Sequence, residues 1–272
     1  MKLYNYNLKK KFCLITGAAG MLGYEHARAI LEVNGNVVLT DINEKKLIQT
    51  QKKLKKIFKN HKIICYKMDV TNSESIKFIL KSLKKQKIRI DILINNAAID
   101  SKIGKKNNFS NNFTFENFTL DQWYSEIRVG LTGAMLCSQV FGSEMRSRGG
   151  VILNIASDLS VIAPNQSIYK SKSKKNNVKP VTYSVIKHGL IGLTKYLATY
   201  WPDKKIRCNA LSPGGVSNKQ GKEFLSKVKE QIPLKRLANR NEYRSVIQFL
   251  CSDASSYMTG QNVIIDGGRS IW

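Results

Sequence analysis

The sequence predicts an α/β chain: a doubly wound parallel sheet with helices on both faces. Short apolar runs alternate with helix-period patterns across brief joins, as strands and crossover helices do. A glycine-rich turn separates the first run from the first helix, and an acid closes the second run about twenty residues later.

Taken in order, the run 11–16 is apolar without polar alternation, which suits a strand buried on both faces. Gly17-Ala18-Ala19-Gly20-Met21-Leu22-Gly23 follows, then a helical pattern through Ala27, Ile30 and Leu31. A strand, a glycine turn and a helix in that order set backbone N–H groups at a helix start, where they can hold a pyrophosphate. The second strand, 36–41, ends in Asp41, placed to accept from the ribose hydroxyls of an adenosine. NAD is therefore expected in preference to NADP, because a 2′-phosphate would meet that carboxylate and neither Ala18 nor Ala19 offers a compensating cation.

A helix over 44–59 keeps Leu47, Leu54 and Phe58 on one side, and the strand 63–66 follows, closed by 68–71. Thr71 and Glu74 read as a capping box for a helix whose apolar face is Ile76, Ile79, Leu80 and Leu83. The strand 90–94 runs into Asn95-Asn96-Ala97-Ala98. A long helix is expected over 120–145, opened by Thr119 and Gln122 as a second capping pair. The strand 151–155 then delivers Ser157 to the edge where open α/β sheets put their ligands.

The helix that follows carries Tyr183 and Lys187, four apart and so on one face, which sets a cation beside a phenol and lowers the pKa expected for that phenol. Ile186, Leu190, Leu193 and Leu197 form its apolar stripe. A strand over 206–211 leads to Ser212-Pro213-Gly214-Gly215-Val216. The segment 219–232 is expected to cover the substrate, the helix 241–250 to turn Tyr243, Val246, Ile247 and Leu250 inward, and 262–266 to form the last strand before Gly267-Gly268.

The chain has 272 residues, 42% of them hydrophobic, and no composition break, so one domain over 1–272 is expected, with excursions near 100–118 and 168–180. No apolar run reaches the roughly 18 residues of a membrane span. The first residues are polar and Lys-bearing, and a cytoplasmic protein is expected. Five Cys, at 13, 65, 137, 208 and 251, form no CxxC pair, which argues against a disulfide framework and a zinc site; no metal is expected. His26, His61 and His188 lack a partner in sequence and receive no role. The net charge of +26 comes from Lys spread along the whole chain, without a recognition motif, so it reads as surface background with no nucleic-acid partner. Lys170, Lys172, Lys174 and Lys175, with Lys102, Lys105 and Lys106, are expected to make the mouth of the site positive and to favour an anionic substrate.

Thr16-Gly17 with its glycine turn, Asp69-Val70, Asn95-Asn96-Ala97-Ala98, Ser157, Tyr183-x-x-x-Lys187 and Pro213-Gly214 together resemble the short-chain dehydrogenase/reductase family, from about Lys11 to Gly268. The resemblance implies a single-domain Rossmann-like fold that transfers hydride between a nicotinamide and a carbinol or carbonyl carbon. It makes Tyr183 the general acid/base, Lys187 its cation and a ribose contact, and Ser157 the group that fixes the reacting oxygen. Cofactor contacts would come from Gly17, Gly20, Met21, Leu22, Gly23, Asp41, Tyr183 and Lys187. Asp69 and Val70 would line the adenine pocket, Asn95 and Ala97 would lie along the cofactor, and Pro213, Gly214 and the backbone near Val216 would meet the nicotinamide amide.

Two departures stand out. Val129-Gly130-Leu131-Thr132-Gly133 occupies the place of a Val-Asn-x-x-Gly pattern, so the family's Asn is missing, and Gly130 offers the backbone freedom without the amide. The glycine spacing, Gly17-x-x-Gly20-x-x-Gly23, is similar to the extended branch of the family. The runs 178–201 and 250–272 resemble enzymes of bacterial surface-sugar synthesis, including legionaminic-type pathways that modify flagellin. A small-molecule sugar substrate and a homodimer or homotetramer are expected. A 3-oxoacyl or polyol reductase, and a cofactor-binding protein without turnover, are the alternatives.

Overall fold

The computed structural model describes residues 6–99, 114–170 and 177–272. Seven parallel strands form one sheet in the order β3-β2-β1-β4-β5-β6-β7. They are β1 Phe12–Thr16, β2 Asn36–Asp41, β3 Ile63–Lys67, β4 Ile92–Asn95, β5 Gly150–Ile155, β6 Ile206–Pro213 and β7 Asn262–Ile265. The helices are α1 Met21–Glu32, α2 Glu44–Ile57, α3 Ser73–Lys85, α4 Leu120–Ile127, α5 Gly133–Cys137, α6 Ser143–Met145, α7 Val181–Tyr200, α8 Lys222–Glu230 and α9 Arg244–Cys251.

The unbroken apolar runs are explained by burial on both faces. Cys13 and Ile15 of β1 pack with Ile30, Leu47, Leu54, Ile247 and Leu250, while Leu14 between them packs with Ile76, Ile79, Phe141 and Leu197. Successive side chains point to opposite faces, so one apolar strand feeds two cores. That puts α1, α2 and α9 on one face of the sheet and α3 and α7 on the other. The order reverses between β1 and β4, where the chain turns from building one half of the sheet to building the other.

Three local expectations are corrected. The cap of α3 is Asn72, whose side chain accepts from Glu74 N and Ser75 N, whereas Thr71 bonds Asp69. Thr119 caps α4 as expected, but Gln122 donates to Glu126 at 3.0 Å and makes only half of a capping box. The expected single helix over 120–145 is a rod of three α segments joined by two π turns, Arg128–Thr132 and Ser138–Gly142. Gly130 lies in the first of them, where its place in the sequence predicts a backbone irregularity.

The five cysteines are free, and burial pushes the thiols of Cys137, Cys208 and Cys251 up to about 12. Among the described residues no helix is long and apolar enough to cross a membrane, and no cluster of His, Cys, Asp or Glu is arranged to hold a metal.

Candidate active site

A cavity of about 460 Å³ opens at the C-terminal edge of the sheet, beside the point where the strand order reverses. Its walls include Gly17, Gly20, Met21, Leu22, Gly23 and Asp41 from the first two strand ends, and Ser157, Tyr183 and Lys187 from β5 and α7. Pro213 at the end of β6, with Gly214 and Val216 just after it, completes it. A larger cavity, about 550 Å³, lies at the opposite edge beside Lys11, Asp91 and Arg148 and holds none of the predicted residues.

The glycine turn is shaped by close approach. A Cβ on Gly17, at φ +64°, would lie 2.9 Å from Ala97 Cα, and one on Gly23 would lie 2.4 Å from Gly17 O. The cap residue of α1, Gly20, has no side chain to bond the first N–H groups of the helix. Those donors therefore face the cavity with the positive end of the helix dipole behind them. Asp41 accepts from Ala19 N at 3.0 Å and from Asn43 N at 2.8 Å, which fixes its carboxylate at the rim.

Four predicted cofactor residues stand outside this cavity. Asn95 is buried and donates to Ser138 at 3.0 Å and to Asn154 at 2.9 Å, so its amide holds β4 to β5 and to the rod behind it. Val70 packs in the core, Ala97 lies half-buried against it, and Asp69 accepts from Thr71 N and Oγ1. Asn96 and Ala98 line the cavity where Asn95 and Ala97 were expected, and Asn96 donates to Thr16 O at 2.9 Å and to Gly17 O at 3.1 Å.

At the other end, Lys187 is 7% exposed and donates to Ile155 O at 2.9 Å, and its Nζ lies 5.6 Å from the centre of the Tyr183 ring. A second cation was not predicted: Lys179 Nζ sits 3.7 Å from the same ring centre. Lys179 is held from behind, since its N donates to Gln166 Oε1 at 2.8 Å and its O accepts from Gln166 Nε2 at 3.3 Å. Next to Gln166, Ile168 is buried against Val228, Ile232 and Leu237, and Tyr169 packs on Phe224. The excursion expected over 168–180 is thus anchored at its root by Ile168 and Tyr169. Lys170 is exposed; Lys172, Lys174, Lys175, Lys102, Lys105 and Lys106 lie outside the described residues.

The sequence reading also missed a charged wall. Ser157 Oγ donates to Asp158 Oδ1 at 2.8 Å and accepts from Leu159 N at 3.2 Å. Asp158 Oδ2 accepts from Arg269 Nη1 at 2.8 Å, and Arg269 Nη2 donates to Gln231 at 3.1 Å. Burial pushes the Tyr169 phenol up to about 12, with the nearby Arg269 charge opposing it. Arg269 reaches the cavity because Gly267 and Gly268, at φ +70° and +89°, turn the chain back after β7. The adjacency of Asp158 to Ser157 was a usable signal, whereas its pairing across 111 residues was not.

A family model described as enoyl-(acyl carrier protein) reductase matches residues 17–270. An NAD-dependent glycerol dehydrogenase of Listeria innocua is 30% identical, over 98% of this chain and 96% of that one. Post-translational flagellin modification protein A of Campylobacter coli is 28% identical, over 96% of this chain and 98% of that one. Among solved structures, a short-chain dehydrogenase from Leptospira borgpetersenii with bound NAD+ is similar at a TM-score of 0.82 and 32% identity, over 99% of this chain and 97% of that one.

Proposed function

The chain belongs to the short-chain dehydrogenase/reductase family of NAD(P)-dependent oxidoreductases, and from that premise we propose that it uses NAD to interconvert a carbinol and a carbonyl on a sugar-derived substrate of surface-glycan synthesis. The observation that carries this reading is the meeting of Ser157, Tyr183 and Lys187 with the glycine turn and Asp41 in one cavity.

The residues fit a dinucleotide. Gly17 and Gly23 let the turn fold close against Ala97 and on itself where a Cβ would clash, the uncapped start of α1 offers N–H groups to a pyrophosphate, and Asp41 offers an acceptor to ribose hydroxyls. When bound, the nicotinamide supplies the two-electron acceptor or donor. Tyr183 gives a proton to the substrate oxygen or takes one from it. Lys187, fixed by Ile155 O, holds a positive charge near the phenol and stabilises the phenolate left when the proton departs. Ser157 bonds the same substrate oxygen and holds it near the phenol. The resemblance of the runs 178–201 and 250–272 to enzymes of surface-sugar synthesis supports the sugar class, likeness to a protein named for flagellin modification supports the surface role, and Asp41 at the rim supports NAD over NADP.

Turnover with NAD and a set of amino-sugar and sugar-phosphate candidates, beside parallel NADH and NADPH titrations, tests the proposal. We expect tighter NADH binding, and expect Tyr183→Phe to abolish turnover while NADH binding stays nearly intact. Tighter NADPH binding would remove the NAD assignment, and a Tyr183→Phe variant that kept most of its rate would remove the acid/base assignment.

A further inference from the structure

The charged wall beside Ser157 has a hydrogen-bonding capacity that the reaction described above does not use. Asp158 and Arg269 are 3% and 7% exposed, and both line the cavity. A buried ion pair adds little stability over apolar residues of the same size, so stability alone does not account for one at a binding wall. The Ser157 hydroxyl has one proton, which goes to Asp158, and one of its two lone pairs takes Leu159 N–H, leaving a single acceptor site. Asp158 Oδ1 takes Ser157 and also Leu159 N at 2.9 Å, while Oδ2 takes Arg269, leaving one acceptor site on Oδ2. Arg269 has five N–H groups: Asp158 and Gln231 take one each, the Tyr169 hydroxyl stands beside the guanidinium, and the buried Nε has no partner among the described residues. Such unused buried donors call for an occupant.

What fits this wall is a group that both donates and accepts. A hydroxyl can donate to Asp158 and accept from Arg269, whereas a carbonyl or thioester can only accept. Phe224, Val228 and Leu237 line the same cavity and offer apolar contact to a carbon skeleton. We propose that Asp158 and Arg269 form a subsite for a hydroxyl on the carbon next to the reacting one, so that the substrate class is a vicinal diol, as in a sugar or polyol, and not an acyl thioester. The inference rests on the reading above that Ser157 and Tyr183 hold the reacting oxygen.

Butane-2,3-diol and butan-2-ol differ by that one hydroxyl and serve as probes, each with NAD, read by kcat/KM and by the shift in melting temperature each adds to the NADH-bound protein. The expected wild-type preference is about tenfold or more for the diol, the size of one hydrogen bond to a charged group. Arg269→Met should reduce the diol-to-mono-ol ratio by about the same factor. The double variant Asp158→Asn with Arg269→Met removes both charges together and should reduce the ratio equally, which keeps the comparison valid if the single variant folds poorly. Equal response of the wild type to the two alcohols in both readouts overturns the subsite. So does a ratio unchanged by Arg269→Met, because a merely structural tie would weaken both probes alike. Failure of the cofactor reading shows separately, as no stabilisation by NADH alone.

Discussion

Gly130 shows how much one residue conceals. The sequence reveals that an amide is missing from this place, but not what fills the space: a Cβ there would lie 2.8 Å from Ile186 Cγ2. Ile186 is β-branched and buried beside Lys187, so it has little freedom to retreat. Gly130→Ala should therefore cost about 1–3 kcal/mol by overpacking, measured by denaturant unfolding, and Ile186→Ala in the same chain should return part of it. A Gly130→Ala variant as stable as the parent would show that the first π turn yields where the geometry says it is filled. Asn95 teaches the converse. Its residue type and position suggest a cofactor contact, yet its neighbours Ser138, from the rod, and Asn154, from β5, draw its amide into the core.

At the scale of elements, strands were the most legible because each is a local apolar run with one available environment. The expected bounds of the second strand agree with β2. Gly130 marked the first π turn as a place of backbone irregularity, whereas the second was not legible. Contacts between distant helices were equally hidden. Arg244 at the start of α9 donates through Nε to Glu25 at 2.7 Å and through Nη1 to Glu32 at 2.8 Å, both on α1. Glu25 is 7% exposed, so removing its cation strands a carboxylate in the α1–α9 contact. Arg244→Met should destabilise the chain by about 3 kcal/mol, seen as a lower denaturation midpoint with unchanged m-value. Glu25→Gln in the Arg244→Met background should recover part of that loss, and no recovery would show that the arginine acts through packing alone.

For the molecule as a whole, the acid side of the stability curve should carry the mark of His26. Its ring is 1% exposed and makes no hydrogen bond of normal geometry among the described residues. Burial pushes its imidazole from 6.5 to about 4, with the nearby Asn96 side chain opposing in part. The folded chain thus refuses a proton that the unfolded chain accepts between those values. The contribution is fully present above pH 6.5 and is lost as pH falls toward 4, by about 3 kcal/mol in all. The unfolding free energy of the parent should therefore fall relative to that of His26→Leu as pH falls through that window, and parallel curves would refute the assignment. The sequence placed the glycine turn, Asp41, Ser157, Tyr183 and Lys187 in one site, because strand ends locate the first three and a one-turn spacing on a helix pairs the last two. It could not pair Asp158 with Arg269, or Gln166 with Lys179, since those pairs exist only after the chain has folded. The last pair has its own consequence. By gripping both the N–H and the C=O of Lys179, Gln166 closes the 12 intervening positions into a loop that ends before α7. Doubling such a loop costs only about 0.6 kcal/mol, so residues can be gained or lost within it while the phenol that begins the next helix keeps its place. Selectivity and chemistry can then diverge by insertion length alone.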